Sequence, residues 1–186
     1  MTRTAFANEV IAIAKSHVGE RELHSNGGWH NKRLEETMRE FGWQRGWAWC
    51  ALFNELVWRT AARKAQMALF DKRLDALFSA SAVVSWRNFD ADEDFETQNG
   101  GKTLLPMAGD LVYWQHGNTA HGHAGIVQSV SGNRMMTIEG NTNAAGSREG
   151  TVVAIKSRPI GNAGMLRLLG FVRPKTVFFD VTSEQK

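Results

Sequence analysis

Apolar residues recur every three or four positions through the first half of the chain and alternate with polar ones in the second half. From Thr4 to Val18, the residues Phe6, Val10, Ile13, Ala14 and His17 share one helical face, and Gly19 ends the run. After a loop over Arg21 to Asn31, Asn31 is placed to cap a second helix carrying Leu34, Met38 and Phe41, which Gly42 closes. Trp43 to Trp49 is an aromatic connector around Gly46. From Cys50 to about Lys64 the period stays helical, but Leu52, Phe53, Leu56, Val57, Trp58, Ala61 and Ala62 make most sides apolar. A helix of that kind is buried against several elements, so it is the expected spine of the fold. Helical spacing continues from Ala65 to Phe78, and a short further helix is predicted over Ser81 to Phe89.

Past Pro106 the period becomes strand-like. Leu111 to Gln115, His123 to Val130, Met135 to Glu139, Thr151 to Lys156 and Leu166 to Val172 are predicted strands, separated by Gly, Asn and Ser turns. Helices first and strands second in one chain predict an α+β fold with an antiparallel sheet of five to six strands. Asp90 to Thr103 is acidic and Gly-rich, the pattern of a solvated loop, and its spacing does not match an EF-hand calcium loop.

Composition narrows this picture only a little. The chain has 186 residues, enough for one domain over 1–186 with a sizeable core and no need of staples. A single cysteine rules out an intrachain disulfide framework and a cysteine-rich zinc site. The net charge of +3 suits an anionic polymer such as a bacterial wall or a nucleic acid without selecting either. Glu9 stands where a signal peptide needs an apolar run, and no stretch approaches bilayer-spanning length. The expectation is a chain made in the cytoplasm, with no membrane insertion.

The one cysteine, Cys50, opens the spine helix. Unpaired N–H groups and the positive dipole end at a helix start stabilise a thiolate, and the same N–H groups can receive an oxyanion. On position alone, packing explains a lone cysteine as well as chemistry does. A cysteine nucleophile needs a base and a group to orient that base. Of six histidines, His123 opens the strand with the strongest alternation. With a three-residue loop at Ser131 to Asn133, His123 falls opposite Asn141 and diagonal to Glu139, all on one face of the sheet. His121 shares a strand face with His123, but no nearby Asp, Glu or Cys completes a zinc set.

Four stretches then carry a resemblance. Trp49-Cys50-Ala51, Pro106 to Val112, Gly122 to Val127 and Ile138-Glu139-Gly140-Asn141 are similar, in order and spacing, to the motifs of CHAP domains. These are cysteine, histidine-dependent amidohydrolase/peptidases, papain-like enzymes that mostly cut bacterial peptidoglycan. Ile11 to Glu22 resembles the opening helix of many members, and Gly170 to Pro174 their closing strand, so the likeness runs from about Ala5 to Pro174. It implies that Cys50 is the nucleophile, His123 the base, Glu139 the residue orienting it, and Asn141 a fourth polar member. It also suggests Gln44 as a side-chain oxyanion donor; Trp43, Trp47, Trp49 and Trp114 are candidate groove walls, with plain core packing the equal alternative for each. No cofactor and no metal are implied; Phe41 to Trp49 holds no Asp or Glu, unlike members with a calcium loop before the cysteine.

The expected function is hydrolysis of a peptidoglycan amide through a thioester, by a phage endolysin or a secreted antibacterial effector acting on the wall after lysis-linked release or dedicated secretion. In the effector case an immunity protein and secretion machinery are the expected partners. The stretch from Arg59 to Leu105, longer than compact members need, is a candidate lid, specificity element or partner surface. Three alternatives remain at this point: the same fold acting on a non-peptidoglycan amide, an inert wall-binding module, and nucleic-acid binding resting on charge alone.

Overall fold

The computed structural model describes residues 1–98, 104–143 and 150–179. Five helices precede most of the sheet: α1 (Arg3–Ser16), α2 (Lys32–Glu40), α3 (Cys50–Lys64), α4 (Ala68–Leu77) and α5 (Ala82–Asp90). The starts of α2 and α5 are fixed by side chains: Asn31 accepts from the Leu34 N–H and Ser81 from the Val84 N–H. The helical spacing expected to continue from Ala65 to Phe78 is observed as α4 from Ala68, after a break from α3. Gln66 adopts a left-handed φ of 58°, and the Met67 N–H turns back to the Ala62 carbonyl before α4 begins. No glycine or proline marks that break; the tertiary packing of α4 on α3 imposes it.

The strands are β1 (Phe95–Glu96), β2 (Leu111–His116), β3 (Gly122–Ser131), β4 (Arg134–Thr142), β5 (Val152–Pro159) and β6 (Leu166–Pro174). They form a six-stranded antiparallel sheet in the order β1-β6-β2-β3-β4-β5. β1 lies in the stretch predicted as loop, where Phe95 pairs with Pro174; residues 99–103 of that stretch fall outside the described ones. Three of the stretch's acids are engaged in the protein: Asp90 accepts from the Thr97 hydroxyl, Asp92 pairs with Arg73 and Glu96 lies 3.6 Å from Arg173.

Period-two alternation divides the sheet between two cores. Leu111, Tyr113, Ala124, Ile126 and Ile138 join the helix-facing core, where α3 is buried on most sides as its pattern requires. Val112, Trp114, Val127, Met135 and Phe171 form a second, smaller core, flanked by Leu104, Ile160 and Ala163. The β3–β4 hairpin turns through two residues, with Ser131 paired to Arg134, not the three predicted. An irregularity between Val127 and Ser129 adds a residue to β3. That insertion restores the expected register, Ile126 opposite Ile138, in the half of the hairpin that leads to His123.

Candidate active site

Cys50 is the first residue of α3, with Trp49 as the flanking N-cap residue. Its backbone N–H and those of the next two residues have no partner within the helix, whose first internal bond is from the Phe53 N–H to the Trp49 carbonyl. The thiol is nearly covered. His123 enters from β3, Glu139 from β4, and the pair meets with Nε2 2.8 Å from Glu139 Oε2. That contact leaves Nδ1 as the ring nitrogen for Cys50, to which His123 is also hydrogen-bonded. Two glycines make room. A Cβ at Gly125 would sit 2.9 Å from Glu139 Cγ, and one at Gly140 would sit 2.6 Å from the Trp49 ring and 2.7 Å from Phe53 Cβ. Gly140 therefore lets the start of α3 lie directly on β4, and Gly125 lets the Glu139 side chain pass beneath β3.

Electrostatics follow from this packing. Burial pushes the His123 imidazolium toward losing its proton, but hydrogen bonds and charge from Cys50 and Glu139 outweigh it and raise the ring to about 10. Glu139 is fully buried. Burial works to raise its pKa too, yet Arg158 and His123 hold it far below the usual carboxylate range. A charged carboxylate accepts only, so Nε2 carries a proton and the tautomer is set. Trp114, opposite His123 on β2, stacks on the imidazole with ring centroids 6.0 Å apart and an interplanar angle of 23°.

Cys50 and His123 open onto a cleft of about 300 Å³. Asn141 lines it, carried by a residue with φ of 52° where the β4–β5 pairing breaks between Glu139 and Thr142. One wall comes from Asn26, Gly46 and Ala48, the other from Ala80, Ser81 and Ala82 at the start of α5, with His116 and His121 at the strand ends. The segment between Arg59 and Leu105 thus contributes to the cleft through α5. Among the described residues no group of three or more His, Cys, Asp or Glu side chains is arranged to hold a metal.

Several other expectations do not match the placement. Gln44 is exposed and is not among the cleft-lining residues; its carbonyl accepts from the Trp47 N–H. Two amides, Asn26 and Asn141, do line the cleft; Asn26 was not anticipated, because a Ser-Asn-Gly-Gly loop 24 residues before Cys50 carries no signal of that placement. Trp49 is buried in an aromatic cluster with Trp29 and Phe53, its Nε1 donating to Glu22 Oε2 at 2.7 Å. Trp43 is buried as well, donating to the Trp47 carbonyl, and Trp114 is wholly buried behind His123. Only Trp47 of the four is exposed. Arg158 on β5 also belongs to the site through Glu139 and was not anticipated from the sequence.

No match was found among curated proteins. Among solved structures, a crystal structure of Ly7917 aligns with a TM-score of 0.51 at 16% identity, over 90% of this chain and 62% of that one. A structure of Ly7917 with the hydrolyzing product of MDP aligns with the same values. At that identity the likeness is one of fold, helices packed on an antiparallel sheet in the papain-like manner, and this chain spans less than two thirds of Ly7917. The family model of the CHAP domain matches residues 40–141, a stretch that contains Cys50, His123, Glu139 and Asn141. That is more than half of the chain, and the chain belongs to the CHAP domain family.

Proposed function

We propose that this protein is a peptidoglycan hydrolase that cleaves an amide of the stem peptide or cross-bridge with Cys50 as nucleophile. The observation that carries the reading is the connected set Cys50–His123–Glu139 at the start of a helix and the edge of a cleft. Family membership and the Ly7917 structure with the hydrolyzing product of MDP support a hydrolase with a cell-wall substrate.

In this mechanism the Cys50 thiolate attacks the amide carbonyl, and the oxyanion develops toward the Cys50 backbone N–H. His123 gives its Nδ1 proton to the leaving amine as the C–N bond breaks, producing a thioester and a free amine. Neutral His123 then takes a proton from water, which adds to the thioester carbon. Collapse releases the carboxylic acid and returns the thiolate–imidazolium pair. Glu139 keeps the Nε2 proton in place throughout, and Asn141 faces the cleft where the acyl group lies. Reaching such a substrate requires access to the wall, which lysis-linked release or dedicated secretion would provide.

Isolated sacculi incubated with wild type and Cys50→Ala provide the test. The wild type should release fragments bearing new amino termini, whose identity assigns the bond, and the variant should release none above background. Equal release by the two proteins would overturn the assignment.

A further inference from the structure

Arg158 lies on β5, two strands from His123, and it meets Glu139 side-on. Its Nε donates to Oε1 at 2.8 Å and its Nη2 to Oε2 at 2.6 Å. Oε1 also accepts the Thr137 hydroxyl at 2.6 Å, while Oε2 faces His123 Nε2 at 2.8 Å. Four donors thus converge on two oxygens, and the plane of the carboxylate is fixed. The guanidinium also sits 5.6 Å from the centroid of Trp114, the ring that stacks on His123. Arg158 therefore touches both groups that orient the imidazole.

We propose that Arg158 is a positioning residue for the reaction: its bidentate clamp keeps Glu139 ionised and aimed at His123 Nε2, including the moment when His123 is neutral. This inference rests on the functional reading above and deepens it. The physical need is specific. Glu139 has no solvent, and a buried carboxylate without a cation takes up a proton. His123 serves as a cation only until it protonates the leaving amine. Arg158 cannot lose its charge, so it holds Glu139 anionic through the thioester stage and prevents it from drawing the proton off Nε2. The titratable groups facing Glu139 are His123 from β3 and Arg158 from β5. Those acting on His123 are Cys50 from α3 and Glu139 from β4, while β2 stacks the uncharged Trp114 on the ring and, with the strand end before β3, places His116 and His121 on the same cleft. A lysine keeps the charge without the two-pronged geometry, so it should restore the function only in part.

The test needs no wall substrate. Cys50, the only cysteine, is alkylated with iodoacetamide over a pH series in wild type, Arg158→Lys and Arg158→Met, with the near-UV circular dichroism of each confirming the fold. Without the clamp Glu139 is no longer held on Nε2, the imidazolium loses its hydrogen-bonded anion, and the thiolate it pairs with forms less readily, so alkylation on the acid side should slow. The expected effect is about tenfold slower alkylation on the acid side in Arg158→Met, with Arg158→Lys between the two. If Arg158→Met does not fold, Arg158→Lys carries the comparison with the same expected direction. Folded Arg158 variants that titrate as the wild type does would overturn the inference and leave the nucleophile in place. A wild-type Cys50 that titrates as a free thiol would instead remove the functional reading on which it rests.

Discussion

Two buried arginine–carboxylate clusters in this protein use the same groups and reach opposite results. On the sheet, one carboxylate, Glu139, is served by two cations, Arg158 and His123, and is held far below its usual range. Between α3 and α4, one arginine is divided among three carboxylates. Arg59 donates to Asp71 at 2.8 Å and to Glu55 at 2.9 Å and also binds Asp75, while Arg63 shares Asp71 at 3.0 Å. There burial wins: Glu55 is pushed up to about 7 against the opposing pull of Arg59. In that same cluster Asp71, which faces both Arg59 and Arg63, is lowered, so each carboxyl's share of cations weighs against burial in deciding where a fixed charge sits. A fixed anion can orient a base through a catalytic cycle, whereas Arg59 links α3 to α4 through Asp71 and Asp75 and leaves Glu55, on its own helix, only partly ionised near neutrality.

Removing each carboxylate should sharpen that contrast. Glu139→Ala leaves Arg158 and His123 without their anion, both largely buried. Loss of about 3–5 kcal/mol of stability is expected in chemical denaturation. At temperatures where the variant is folded, turnover on sacculi should fall by at least about 100-fold, since the base loses its orientation. Retention of wild-type turnover would separate Glu139 from the chemistry.

Glu55→Gln should do much less. Near neutral pH the native side chain already spends about half its time protonated, so the amide is expected to cost under about 1 kcal/mol and leave turnover per folded molecule unchanged. The informative readout is the pH dependence. Glu55 binds its proton more tightly when folded, about 7 against a model value of 4.5. Its contribution is therefore complete below about 4.5 and declines as pH rises through about 7, by up to roughly 3 kcal/mol. Unfolding free energies measured across that window should be flatter in the variant. An equally steep decline would assign the pH dependence to another group.

The same contrast shows what the sequence could and could not carry. The helix at Cys50 to Lys64 is legible because its apolar residues surround the axis, and it is observed with those bounds. The contact of His123 with Glu139 was legible through strand period alone, although the loop length used to derive it was wrong. The observed two-residue turn and the bulge near Gln128 shift the register by compensating amounts. Arg158 was not legible, because its place depends on the pairing of β4 with β5. The connection after Asn143 has no hairpin signature from which a register could be counted. Met135 in fact pairs with Arg158, and the arginine reaches Glu139 by leaning along the strands past Thr137. The tryptophans were left open for a related reason: a large aromatic beside a cysteine at a helix start reads equally well as wall or core. Only burial separates exposed Trp47 from buried Trp49 and Trp114.

The central claim is that Cys50 and His123 form a thiolate–imidazolium pair. The most direct measurement is the rate of Cys50 alkylation by iodoacetamide at pH 6 in wild type and in His123→Ala. Because the thiolate is the reacting species, the paired cysteine should be alkylated at least about tenfold faster in the wild type. Equal rates in the two folded proteins would contradict the pairing and, with it, this account of the site.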